Sequence, residues 1–199
     1  MNIPVLVFAR APVVGRVKTR LAASIGAWAA ARLHLRLTRR ALRTAREARC
    51  GSVELHTTAL HSAFWFHEKI FFQKGNDLGE RMYRALRRHR RAILIGCDCP
   101  ALTARDLRRA ARMLCAGYRV VLAPAEDGGY ALIAARNAPR ALFEGIAWGG
   151  TRVYADTVGK FQNPEYRWRA LRTVWDVDRP EDVKRLAASP LRLRALRSS

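Results

Sequence analysis

The sequence predicts one α/β domain: a mostly parallel sheet with one antiparallel strand and helices on both faces. Three observations predict it. Residues 3–9, 92–96 and 118–124 are apolar almost without interruption, the mark of strands covered on both sides. Amphipathic segments of helical period lie between the apolar runs, as parallel strands require. The run ending at Pro124 and the one starting at Tyr130 are separated only by Ala125-Glu126-Asp127-Gly128-Gly129, a link too short for a crossover, so that pair is expected to be antiparallel.

In order, residues 3–9 give a first strand, followed by a loop holding Arg10, Pro12, Gly15, Arg16, Lys18 and Arg20 and then a helical pattern. Residues 27–48 read as a long helix with Leu33, Leu37, Ala41 and Ala45 on one stripe and arginines opposite. Residues 53–57 alternate like a strand, and a short strand is expected at 69–73. Phe64, Trp65 and Phe66 read as core or lid packing. Asp77 is a helix cap with Glu80 as its capping-box partner, opening a helix to about residue 90. Residues 92–96 form the next strand and end at Asp98. Thr103 caps a helix over 104–116. Strands follow at 118–124 and 130–135, a helical turn at 139–143, a helix at 151–161 and a last strand at 171–175. Pro180 opens a terminal helix. With no linker, repeat or low-complexity block, residues 1–188 are expected to form one domain and 189–199 a basic tail.

The 199 residues carry a formal net charge of +21. That balance attracts phosphate-rich partners in general. Most of the excess is arginine at helical spacing, which solvated helix faces also explain, and no recognition-helix, RRM, KH or zinc-finger signature is present. Four cysteines, with Cys97 and Cys99 as the single close pair, form neither a zinc knuckle nor a disulfide framework. None of the five histidines stands in a recognised ligand pattern. No long uncharged apolar segment or secretory leader pattern occurs. A reduced, cytoplasmic setting with no membrane span is therefore expected.

The chemistry concentrates at strand ends. In such sheets ligands bind beyond the carboxyl ends of the strands. The first strand ends at the loop from Arg10 to Arg20, where glycine permits close approach and cations and a helix start suit phosphate. It is not a Walker A loop, because Gly15 and Lys18 are separated by two residues. Asp98 ends another strand; Asp176 and Asp178 end the last. A cationic loop facing carboxylates suits a phosphorylated ligand held with a divalent ion. Plainer readings exist too. Asp98 can cap the turn before Pro100, Asp178 can cap the helix at Pro180, and Asp127 can be a hairpin residue.

Four stretches, taken together and in order, resemble a known bacterial family: Ala11-Pro12-Val13-Val14-Gly15-Arg16-Val17-Lys18-Thr19-Arg20-Leu21, Gln73 through Met82, Gly96-Cys97-Asp98-Cys99-Pro100-Ala101-Leu102, and Pro124-Ala125-Glu126-Asp127-Gly128-Gly129-Tyr130. Weaker echoes lie around Trp148 and at Asp176-Val177-Asp178-Arg179-Pro180-Glu181-Asp182. The family comprises glycosyltransferase-like proteins of the nucleotide-diphospho-sugar transferase superfamily, with a GT-A (Rossmann-like) fold. It was first catalogued as an uncharacterised domain and is associated by name with radical-SAM and selenium-related gene neighbourhoods and arsenosugar biosynthesis. The resemblance implies a nucleotide site made by Arg10, Pro12, Gly15, Lys18 and Arg20 for the phosphates, with Gln73 and Gly79 near the base or ribose. It implies metal ligation by Asp98 and Asp178, as Mg2+ or Mn2+, and catalytic roles for Lys18, Asp98 and Asp127, the last toward the acceptor. Cys97, Ala131, Ala134-Ala135 and Arg179 depart from the family pattern.

Three functions stand at this point. The first is a metal-dependent glycosyltransferase acting from a nucleotide-sugar donor on a small-molecule acceptor. The second is a nucleotidylyltransferase joining a nucleoside triphosphate to a phosphorylated acceptor, which the cation-rich loop suits. The third is a basic nucleic-acid-binding protein.

Overall fold

The computed structural model describes residues 2–64, 69–161 and 166–189. Seven strands form one sheet in the order β3-β2-β1-β4-β6-β5-β7. They are β1 (Val5–Ala9), β2 (Val53–Thr57), β3 (Lys69–Phe72), β4 (Arg91–Gly96), β5 (Val120–Pro124), β6 (Tyr130–Arg136) and β7 (Trp168–Ala170). β6 alone runs antiparallel, pairing with β4 and β5, and every other pairing is parallel. The helices are α1 (Thr19–Ile25), α2 (Ala27–Ala48), α3 (Leu78–Leu86), α4 (Ala104–Cys115), α5 (Val153–Val158) and α6 (Pro180–Ala188).

Alternation along β1 shows how both faces are covered. Val5, Val7 and Ala9 join one core with Ala41, Leu42 and Ala45 of α2 and Leu107, Ala110 and Leu114 of α4. Leu6 and Phe8 point the other way, into a core with Met82, Ala85 and Leu86 of α3. A third cluster joins Leu21 of α1 and Leu33 and Leu37 of α2 to Val177 and Leu186, and so anchors the C-terminal segment beside the first loop. Gly26, at φ 82°, separates α1 from α2.

Several sequence-based boundaries shift. The last strand is Trp168–Ala170, not residues 171–175. Pro124 has no N–H to donate, the β5–β6 register slips between Ala123 and Pro124, and Arg172 turns away to bind Asp106 and the Ala101 carbonyl. Val174 regains the sheet only as an isolated bridge to Ala125. The helix expected at 151–161 is the six-residue α5, and Thr151 does not cap it. The helix expected to reach residue 90 ends at Leu86, and β5 begins at Val120 rather than Tyr118. Asp77 does cap α3, its Oδ1 accepting from the Glu80 N–H at 2.7 Å, while Glu80 reaches back to the Asn76 N–H. Trp65 and Phe66 of the aromatic cluster, and the tail beyond Ser189, lie outside the described residues.

Candidate active site

The loop after β1, the end of β4, the β5–β6 turn and the segment before α6 share one edge of the sheet, because β6 starts where β1, β4 and β5 end. The Val177 N–H donates to the Asp98 carbonyl at 2.9 Å, tying the last segment to the end of β4. Val177 is fully buried, so Asp176 and Asp178, flanking it in extended chain, both face away from the core.

Lys18 crosses from the basic loop into this edge. Its backbone is left-handed (φ 49°), a conformation costing a non-glycine residue roughly 1 kcal/mol. Its side chain is 5% exposed, and Nζ lies 3.1 Å from Asp98 Oδ1 and 3.8 Å from Asp178 Oδ1. Burial lowers the ammonium's pKa, but Asp98, aided by Asp178, more than offsets this and holds it above the ordinary lysine value. Correspondingly, burial raises the Asp98 carboxyl while Lys18 and His34 pull it to a net value below the usual range. Arg20 Nη1 donates to Asp178 Oδ2 at 2.6 Å.

Two residues behind Asp98 complete its surroundings. His34 Nε2 lies 2.9 Å from the Arg10 carbonyl, and its Nδ1 is 3.9 Å from Asp98 Oδ1. Burial pushes the His34 pKa down, favouring the neutral ring. The buried Cys97 thiol, pushed well up by burial and then by Asp98, donates to Asp98 Oδ1 at 3.3 Å. His34, Cys97 and Asp98 each offer a ligand atom within 4.8 Å of the others. Asp98, at the end of β4, and Asp178, in the segment before α6, already converge their carboxylates on one cationic centre. Hard oxygen donors so placed fit Mg2+ or Mn2+.

A cavity of about 740 Å³ opens beside this centre. Carboxylates predominate in its lining (Asp98, Glu126, Asp127, Asp176, Asp178 and Asp182), with Arg20 and Arg179 among them. Tyr130 and Trp148 supply its aromatic part. The Asp176 carboxyl is pushed up to about 6, first by burial and then by Asp127. Asp127 Oδ1 accepts from the Gly129 N–H at 2.9 Å. Gly128 (φ 89°) lets this turn pack closely, because a Cβ there would fall on the Thr151 carbonyl, and its own carbonyl accepts from Tyr154 N at 2.8 Å.

Of the residues singled out from sequence, Lys18, Arg20, Asp98, Asp127 and Asp178 gather around this centre and cavity. Arg10 is exposed with its carbonyl bound to His34, Pro12 is buried, and Gly15 forms an exposed turn at φ 76°. Gln73 fastens strand ends, Nε2 donating to the His56 carbonyl at 2.9 Å and reaching the Ala9 carbonyl at 3.4 Å. Gly79 lies under Trp148, whose indole fills the space a Cβ would take. Three contributors were given no role from sequence. Asp176 was read only as a strand-end carboxylate beside Asp178, and Trp148 was signalled only by the weak echo around it. His34 carries no sequence signal, since the fold alone brings it to Asp98.

A family profile described as "Uncharacterized protein conserved in bacteria (DUF2064)" matches residues 36–150. A protein of Desulfovibrio desulfuricans G20, provisionally assigned as a nucleotide-diphospho-sugar transferase, is 30% identical, with a TM-score of 0.81 over 90% of this chain and 84% of its own. Rv0371c of Mycobacterium tuberculosis H37Rv, whose structure is also known with manganese, is 20% identical at a TM-score of 0.59, covering 95% and 98%. CMP:2-keto-3-deoxy-manno-octonic acid synthetase, solved with CTP, shares the fold at 11% identity and a TM-score of 0.60, covering 94% and 98%. A comparison with curated proteins gives no significant match.

Proposed function

The chain belongs to the DUF2064 family, and from that premise we propose that it is a nucleotide-using transferase, moving a sugar from a nucleotide-diphospho-sugar to a neutral, hydroxyl-bearing acceptor with a divalent cation. One observation carries this reading: Asp98, Asp178 and Lys18 form a shared charge centre at the strand ends, opening directly onto the acidic and aromatic cavity. The D. desulfuricans relative supports the nucleotide-sugar assignment.

Arg10, Gly15, Lys18 and Arg20 take the diphosphate, with Pro12 shaping the turn and Gly79, under Trp148, on the side of the base or ribose; Gln73 lines a separate cavity across α3 and is not assigned to the nucleotide. Asp98 and Asp178 hold Mg2+ or Mn2+, which supplies charge neutralisation for the departing diphosphate. With a cation bound, Asp98 and Asp178 would be its ligands and the Lys18 ammonium, now between them, would serve the phosphates. Tyr130 and Trp148 offer an apolar face to a sugar ring. Asp127, with one oxygen fixed by Gly129, turns its other toward an acceptor hydroxyl and can take its proton. Positioning and charge neutralisation do most of the work, with no covalent intermediate.

The nucleotidylyl-transfer reading is favoured by the loop's cations, which suit a triphosphate. The cavity's carboxylates weigh against it. Asp127 and Asp176 would repel a phosphorylated acceptor, with Arg179 a lining cation set against them; Arg185 is committed to Glu126 through bonds of 2.6 and 3.0 Å and is not offered to a phosphate.

The test is 31P NMR of reactions containing Mn2+ or Mg2+, a panel of nucleotide-sugars or nucleoside triphosphates, and a polyol and sugar-phosphate acceptor mixture. Sugar transfer predicts accumulation of nucleoside diphosphate from at least one nucleotide-sugar, with Asp127→Asn slowing it at least tenfold. Pyrophosphate release dependent on a sugar phosphate would overturn it.

A further inference from the structure

A second cavity, of about 570 Å³, lies across α3 from the first and shares no lining residue with it. Leu78 and Met82 face the first cavity, while Arg81, Arg84, Ala85 and Arg88 face the second. Six cations border it: Lys74, Arg81, Arg84, Arg87, Arg88 and Arg140, of which Arg140 is paired with Glu144 and Arg84 with Glu80. Glu80 is the one carboxylate among the lining residues, and both its oxygens are engaged, by the Asn76 N–H and by Arg84. Solvated arginines on a convex helix face need no ligand, but like charges around a concave wall reinforce one another's field and concentrate anions.

Two of these guanidinium groups are preorganised. Arg88 lies over the Phe71 ring at 4.1 Å, and that ring stacks on His56, which stacks on Phe8. Arg87 sits over Tyr83 at 5.7 Å. A guanidinium laid on a ring keeps its in-plane N–H donors for phosphate oxygens. Phe72, 49% exposed, supplies an apolar face at the same cavity. The volume falls within the roughly 300–1,000 Å³ usual for small-molecule sites.

We propose that this cavity is a second binding site, for a small polyphosphorylated ligand with a planar organic part, of the nucleoside polyphosphate class. No free carboxylate is offered to a metal among the lining residues, so the phosphates are met by guanidinium groups and binding needs no divalent cation. The site is independent of the donor site across α3.

The test is isothermal titration calorimetry in metal-free buffer with ATP and with inorganic tripolyphosphate. Both are expected to bind, ATP at least threefold more tightly, with Phe72→Ala removing that advantage. Arg87→Ala with Arg88→Ala should weaken both at least tenfold. Lys74→Ala with Arg87→Ala, which leaves the Arg88–Phe71 contact intact, should also weaken both and excludes a folding defect. Arg105→Ala with Arg109→Ala, exposed on α4, removes the same charge elsewhere and should change affinity less than twofold. Three results would overturn the proposal: no binding at millimolar ligand, an equal loss in the α4 variant, or loss of the metal-free signal in Asp98→Ala. A single-stranded oligonucleotide binding a hundredfold more tightly through the same arginines would overturn the small-molecule assignment.

Discussion

Asp176→Asn should stabilise the protein, and by an amount that grows with pH. The carboxyl stands at about 6 in the folded chain against an ordinary 3.8, first because it is buried and then because Asp127 faces it. The folded state therefore holds the proton more tightly than the unfolded state. Stability from this group is fully present below 3.8, falls as pH rises toward about 6, and is level above that. At about 1.4 kcal/mol per pH unit the full effect is about 3 kcal/mol, and partial exposure reduces it to about 1–3 kcal/mol. Asparagine copies the protonated form and removes the titration. Urea unfolding followed by circular dichroism should show little difference between variant and wild type at pH 4, and a clear gain for the variant at pH 8. Equal stabilisation at both pH values, or a loss at pH 8, would refute the reasoning. The same variant should transfer sugar more slowly, since a site often keeps a destabilising charge for its function.

Three further outcomes follow from the geometry. Gly79→Ala places a methyl inside the Trp148 indole, and the gain in helix propensity, about 1 kcal/mol, should be outweighed by overpacking, giving a lower urea midpoint and altered Trp fluorescence. Asp106→Asn removes the charge that pairs with Arg172 (2.8 Å) and weakens the bond returned from the Thr103 N–H, costing about 1–2 kcal/mol at pH 7. Burial opposes but Arg172 and Thr103 dominate to hold the Asp106 pKa below 3.8, so that difference should shrink as pH falls through the folded value, read by thermal melting. Lys18→Ala leaves Asp98 and Asp178 without their shared ammonium, so Mn2+ should raise the melting temperature of this variant more than that of wild type.

The fold was largely legible because its signals are local. Buried strands such as β4 announce themselves as apolar runs, α2 carries its stripe in the residues themselves, and a five-residue link forces β6 to reverse. The strand expected at 171–175 failed for a non-local reason. Leu171 to Trp175 looks extended and apolar, but Pro124 on the partner strand and the pull of Asp106 on Arg172 decide where the ladder stops. The site divides the same way. Asp98 could be chosen because it follows a strand whose end is predictable; Asp178 was chosen as the end of a strand that does not form, and it reaches the site through the segment leading into α6. That Lys18 turns inward to meet them depends on a left-handed backbone, which the sequence does not advertise at a lysine. His34 reaches Asp98 only through the packing of α2 on the sheet.

The most direct test of the central claim is electron paramagnetic resonance of Mn2+ titrated with wild type and Asp178→Asn, with and without a panel of nucleoside diphosphates. The free-ion signal should fall for wild type with at least one nucleotide, and much less for Asp178→Asn. Equal Mn2+ binding by the two proteins, or none with any nucleotide, would contradict a nucleotide site built on Asp98, Asp178 and Lys18.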